Sequence, residues 1–253
     1  MPSLLVVQHD HVSPLGPVAE RFTEHGYDIA YHPVVAEEHF HAPTVTTSFP
    51  DFTHFDAVLL MGAPWSTYDH TLIGSWVLPE MHQLRQADSA GVPVFGICFG
   101  GQLLAAVHGG RVTPAPTPEI GWTAVTTDDE SLVPSGPWFE WHYDRWHLPP
   151  TAVELARSPA ASQAFVLRRN LAVQFHPELT PAMLTGWLNH GGAAKATEQG
   201  RDPASLLIET NRQAAAAAQR SRALVDGFIK LTSSRQEPEP APRRRWPDRR
   251  PQS

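Results

Sequence analysis

Val92-Pro93-Val94-Phe95-Gly96-Ile97-Cys98-Phe99-Gly100-Gly101-Gln102-Leu103-Leu104-Ala105-Ala106-Val107 changes its pattern in the middle. Valines and a phenylalanine lead up to Cys98, and an apolar helical run follows Gln102, so the stretch reads as strand, sharp turn, helix. The residue at such a corner is held in a strained backbone with its side chain at the mouth of the sheet. The amide hydrogens of the helix's first turn then face whatever that side chain attacks. Small residues are needed on either side, because a Cβ at Gly96 or Gly100 would strike the adjoining strand or helix. Cys98 is the chain's single cysteine. Elsewhere a lone cysteine would read first as a small buried hydrophobe. At this corner it reads as a nucleophile, since helix N-termini favour the thiolate.

The segments upstream repeat the alternation. Leu4 to Val7, Tyr27 to Tyr31, Asp56 to Met61 and Val92 to Ile97 read as strands. Pro17 to His25, stopped by Gly26, and Leu78 to Ala90, stopped by Gly91, read as helices. Strand and helix in succession imply right-handed crossovers and a mostly parallel sheet covered on both faces. Functional groups are then expected beyond the carboxyl ends of the strands, where Met61/Gly62, Cys98 and Phe175/His176 fall. After Arg111 the pattern changes. Val112, Trp122 to Thr126 and Ala164 to Leu167 read as shorter antiparallel strands, with Thr113 to Pro118 a proline-bearing connection. Ala204 to Lys230 reads as a strong helix that buries Leu224, Val225, Phe228 and Ile229.

Leu171-Ala172-Val173-Gln174-Phe175-His176-Pro177-Glu178 begins as an alternating strand and ends in His-Pro-Glu. Residues two apart in extended backbone share a side, and Pro177 biases His176 towards that conformation. His176 and Glu178 can therefore pair, the carboxylate gripping one ring nitrogen and leaving the other free. The motif alone leaves a second reading open: a strand-end histidine beside a solvated glutamate.

Together, Gly96 to Gln102 and His176 to Glu178 resemble the G-x-C-x-G-x-Q and H-P-E signatures of the class I (triad) glutamine amidotransferases. Leu59-Leu60-Met61-Gly62-Ala63-Pro64-Trp65-Ser66 resembles the family's strand and Gly-Gly-Pro turn, and Glu119-Ile120-Gly121-Trp122 a further shared segment. The resemblance runs from Leu4 to about Phe228 and is greatest to stand-alone members resembling the glutaminase part of GMP synthase. Ala63 departs from the family's second glycine, and Gly101 from a frequent histidine.

The resemblance implies a flavodoxin-like, doubly wound α/β fold with a nucleophile elbow and a small antiparallel extension. It implies Cys98 as nucleophile, His176 as acid and base, and Glu178 as its orienting partner. Amides of Phe99 and of the Gly62-Ala63 turn would form the oxyanion hole. Gln102, Trp65, Trp141, His142 and Tyr143 would bind substrate, the last three from a segment resembling the family's W-H-x-D loop. The residues themselves leave Gln102 open as an exposed helix residue, and Trp138 to Trp146 as a hydrophobic anchor on a surface loop.

The implied reaction is cysteine-dependent hydrolysis of the glutamine side-chain amide through a γ-glutamyl thioester. Ammonia would pass to a separate synthase, because no phosphate-binding glycine loop follows Glu178. A stand-alone γ-glutamyl peptidase or hydrolase is the alternative, followed by a non-catalytic binding protein of the same fold. A cysteine-elbow α/β-hydrolase fits less well. There the acid falls between nucleophile and histidine, whereas here the order is Cys98, His176, Glu178. No cofactor is implied.

Composition sets the outer bounds. The 253 residues suit one class I amidotransferase-like domain over residues 1–232, followed by a Pro/Arg-rich tail over 233–253 that cannot form a core. Net charge is −7, but six arginines against three acids from Ser233 onward leave +3 there and −10 on the rest. An acidic body argues against a nucleic-acid platform. One cysteine excludes an internal disulfide framework and suits a reducing cytoplasm. The apolar Ser3 to Val7 is too short for a secretory leader, and no run is long enough to cross a bilayer, so a cytosolic protein is expected. His9/His11 and His39/His41 are H-x-H pairs without identifiable third and fourth ligands, so no metal is expected.

Overall fold

The computed structural model describes residues 1–233. Its first strand, β1 (Ser3–Gln8), sends Leu4 and Val6 into one apolar layer and Leu5 and Val7 into the other. That is the period-two consequence of a pleated strand, and with all four buried both faces of the sheet must be covered. There follow α1 (Gly16–Glu24), β2 (Asp28–Pro33), β3 (Ala57–Leu60), α2 (His70–Ser89), β4 (Val94–Ile97) and α3 (Phe99–Val107). Next come β5 (Arg111–Thr127), β6 (Gly136–His147), β7 (Val153–Arg157), β8 (Ser162–Leu167) and β9 (Asn170–Val173). The described chain ends with α4 (Pro181–Trp187), α5 (Ala193–Glu198) and α6 (Pro203–Ser233).

Among the described residues one sheet runs in the order β2-β1-β3-β4-β9-β8-β7-β5-β6. The first five are parallel, and from β9 to β6 each neighbour is antiparallel. Val18 and Phe22 of α1 and Leu224, Val225 and Phe228 of α6 cover one face. Ile73, Trp76, Val77 and Leu84 of α2, with Leu103 and Leu104 of α3, cover the other. A third cluster joins Ile120 and Phe139 of the antiparallel arm to Met183, Leu184, Ala196 and Leu206. The doubly wound, mostly parallel core with an antiparallel extension is thus the fold that the sequence implied.

Several local expectations need correction. The helix expected from Leu78 begins at His70 and runs through Pro79. Asp69 starts it by accepting a hydrogen bond from the Leu72 amide (3.2 Å), and packing of its apolar stripe outweighs the one backbone bond lost at proline. The expected connection Thr113 to Pro118 lies inside β5. A register shift between Pro114 and Glu119 absorbs prolines that cannot donate to the ladder. The aromatic segment Trp138 to Trp146 is not a surface loop but most of β6, paired with β5. Finally, β9 ends at Val173, so His176 to Glu178 lie in a turn beyond it rather than on the strand.

The tail expected at 233–253 falls, beyond Ser233, outside the described residues. Among the described residues no helix is long and apolar enough to cross a membrane.

Candidate active site

Cys98 joins β4 to α3 with φ 49° and ψ −107°, a conformation L-residues seldom adopt. Its own amide donates to the Val173 carbonyl (2.8 Å), and the Gly100 amide donates to that of Met61 (3.1 Å). These bonds brace the corner against both adjacent strands. A Cβ on Gly96 would stand 2.6 Å from the Gly100 carbonyl carbon and oxygen, which accounts for glycine there. Among the described residues the amides of Phe99, Gly62 and Ala63 carry no hydrogen bond. The first opens α3, and the others form the turn after β3.

The His176 amide donates to the Phe139 carbonyl (2.9 Å), fixing the His176-Pro177-Glu178 turn to β6. His176 Nδ1 lies 2.8 Å from Glu178 Oε1, both side chains being buried. Because a carboxylate only accepts, Nδ1 carries the hydrogen, and Nε2 is left without a protein partner. Burial alone would lower the imidazole's pKa. The Glu178 carboxylate and Cys98 beside it outweigh that and hold it well above its ordinary value. A Cβ on Gly62 would meet His176 Cε1 at 3.1 Å and Cys98 Cβ at 3.7 Å, so imidazole and sulfur flank one small space. The solvated-glutamate reading of the motif is excluded, since Glu178 is fully buried.

That space opens into a cavity of about 370 Å³. Every side chain expected to bind substrate lines it: Trp65, Gln102, Trp141, His142 and Tyr143. Cys98, His176, Gly62 and Ala63 line it too, whereas the Phe99 side chain is buried in the apolar core instead. Gln102 is not the exposed helix residue that remained open from sequence. Its Nε2 faces the Asp144 carbonyl and Gln174 Oε1, both at 3.3 Å.

Sequence reasoning missed four contributors. Gln174 donates from Nε2 to Cys98 Sγ (3.5 Å), and it occupies the position two before His176 that the alternating pattern could have flagged. Trp187 packs edge-on against the His176 ring at 4.9 Å between centroids, and no motif marks it. Asp144 accepts from Ser66 Oγ (2.5 Å) and Tyr68 Oη (2.8 Å), tying the Trp65 loop to β6. Glu140 is fully buried with neither carboxylate oxygen hydrogen-bonded, and His142 Nε2 stands between Glu119 Oε2 (3.2 Å) and Glu140 Oε2 (3.5 Å). Burial and the nearby Glu119 charge push the Glu140 carboxyl well above the ordinary range, against an opposing pull from His176.

The fold divides the His9/His11 pair. His9 is buried, with Nδ1 donating to the Met61 carbonyl (3.0 Å) and Nε2 on Glu80 (3.0 Å). His11 lies instead with Glu37 and His190.

A strained cysteine at an elbow, an imidazole beside it and a carboxylate behind the imidazole stand together on a doubly wound sheet. The class-I glutamine amidotransferase family model matches residues 18–189, and the chain belongs to that family. It is 35% identical over 151 residues to a GMP synthase (glutamine-hydrolyzing) subunit from Sulfolobus acidocaldarius, covering 54% of this chain and 75% of that one. It is 38% identical over 134 residues to the GMP synthase (glutamine-hydrolyzing) of Aeropyrum pernix. That match takes in 47% of this chain but only 26% of the relative's length. Among solved structures, a glutamine amidotransferase from Thermotoga maritima superposes with TM-score 0.77 at 22% identity, over 92% of this chain and 99% of that one. One from Methylobacillus flagellatus superposes with TM-score 0.77 at 24% identity, over 91% and 95%. At such identities the structural likeness establishes the fold.

Proposed function

We propose that the protein hydrolyses the side-chain amide of glutamine through a γ-glutamyl thioester on Cys98. The observation that carries this reading is the buried His176–Glu178 pair at 2.8 Å, set beside the strained cysteine and opening on a cavity of about 370 Å³. Cys98 Sγ attacks the amide carbonyl carbon, forming a C–S bond. The oxyanion is held by the amides of Phe99 and of the Gly62-Ala63 turn, each such donor being worth about 3 kcal/mol. His176 Nε2, which takes the Cys98 thiol proton as the sulfur attacks, passes that proton to the amide nitrogen, the C–N bond breaks and ammonia leaves. His176 then takes a proton from water as that water attacks the thioester, the C–S bond breaks, and the proton returns to the Cys98 sulfur as glutamate leaves. Glu178 keeps the ring in one orientation and stabilises its cation.

The ammonia is intended for a separate synthase chain. Support comes from the relatives named as single subunits of GMP synthase, parts of a larger enzyme by those names, which this chain covers for most of their length. Residues 1–232 then act as one glutaminase domain. The test is ammonia release from glutamine by wild type and Cys98→Ala, with mass spectrometry after exposure to diazo-oxo-norleucine. An adduct on Cys98 and ammonia release lost in the variant are expected. Release at the wild-type rate from Cys98→Ala would refute the proposal.

A further inference from the structure

At the rim of the cavity, one donor atom from each of His11, Glu37 and His190 lies within 4.8 Å of the other two. The three come from separate stretches: the loop after β1, the 3-10 turn Glu37–His39, and the π-turn Leu188–Gly192 that joins α4 to α5. His190 lines the cavity itself, with Asp10, Val12 and Phe40 adjoining. We infer that this triplet is a binding site for a transition-metal dication of the zinc class.

Four observations support it. Both ring nitrogens of His11 are shielded from solvent and have no hydrogen-bond partner, an arrangement that leaves a buried acceptor unused. His190 Nδ1 donates to the Gly186 carbonyl at 2.8 Å, which fixes the tautomer and turns Nε2 into a free lone pair. A ligating histidine is commonly oriented in this way, through a carbonyl behind the ring. The ring is presented by a break in the helix, His190 at φ −99°, ψ 39° and Gly191 at φ 95°, ψ −8°. The rings of His11 and His190 meet edge to face at 5.2 Å between centroids.

The donor set selects the ion. Two imidazoles and one carboxylate suit zinc, cobalt, nickel or copper, whereas magnesium and calcium prefer oxygen alone. Tetrahedral ligands at about 2.0–2.1 Å stand about 3.4 Å apart, so the three donor atoms need only draw together to complete the set. Three protein ligands leave a fourth position open, and the ion would bind three rim segments together.

The experiment titrates the full chain with zinc, and separately with magnesium, by isothermal calorimetry, following thermal unfolding in parallel. Wild type is expected to bind one zinc and to gain thermal stability, with no response to magnesium. His190→Ala and His11→Ala should each weaken zinc binding at least tenfold and abolish the stabilisation. His190 is exposed, so its variant tests the ion rather than the fold. Cys98→Ser should bind zinc as wild type does. Unchanged zinc affinity in His190→Ala, or its loss in Cys98→Ser, would overturn the inference by assigning the ion elsewhere.

Discussion

Gln174 Nε2 points at Cys98 Sγ from 3.5 Å, and Gln174 Oε1 accepts from Gln102 Nε2 at 3.3 Å. The second bond sets which end of the Gln174 amide faces the sulfur. Gln174 thus donates to the sulfur, and His176 lies beside it. Gln174→Met, similar in bulk and without a donor, should lower kcat for glutamine about tenfold. That corresponds to about 1.4 kcal/mol, within the range for one hydrogen bond. The rate of alkylation of Cys98 by iodoacetamide as a function of pH checks this: the profile should shift in the variant. An identical profile would show that the contact is packing only.

Glu178→Gln removes the charge behind His176 and keeps the shape. Loss of an orienting carboxylate in other triads costs about 10⁴-fold in kcat, and a drop of about 10²–10⁴ is expected here. The raised pKa of His176 also enters stability. A histidine whose folded pKa exceeds its unfolded value of 6.5 contributes fully below that value, and the contribution fades as pH rises through the folded one. The stability gap between wild type and Glu178→Gln should therefore be wider at pH 6 than at high pH. Urea denaturation across that range measures it.

Glu140 carries the opposite sign. Its carboxyl is protonated in the folded protein well above pH 4.5, whereas the unfolded chain ionises there. Folding becomes less favourable as pH rises from 4.5 towards the folded value. Glu140→Gln, which mimics the protonated form, should raise the melting temperature relative to wild type at pH 8 and lose that advantage near pH 4.5. Equal melting temperatures at both pH values would mean that Glu140 is ionised in the native state.

Two glycine substitutions should separate folding from chemistry. Gly96→Ala places a Cβ 2.6 Å from backbone at Gly100, which neither strand nor helix can yield cheaply. A loss of about 3 kcal/mol or more is expected, the upper range for overpacking. Gly62→Ala meets the movable His176 ring at 3.1 Å instead. It should fold, with activity reduced because the imidazole is pushed aside. Denaturation midpoints paired with ammonia assays on both variants decide the matter.

The parallel core and the grouping of Cys98, His176 and Glu178 were legible because each depends on local patterning: Val94 to Cys98 on periodicity broken by small residues, His176 to Glu178 on proline stiffness. The antiparallel arm was harder. In β6 the inward positions include Glu140, His142 and Asp144, so the period of two does not show as alternating hydrophobicity. In β5 the prolines mimic a loop until the register shift is seen. Pairing across the His11, Glu37 and His190 triplet spans most of the chain, and nothing local announces it. Trp187 and Gln174 act through tertiary neighbours in the same way.

The Met61 carbonyl accepts from both the His9 ring and the Gly100 amide. One oxygen atom thereby couples β1, the Gly62-Ala63 turn and the base of α3, so Cys98 and the Gly62-Ala63 turn cannot drift apart independently. An incoming ligand meets a surface already rigid at its reactive centre, and the entropy of ordering those donors is lost when the chain folds rather than when the ligand arrives.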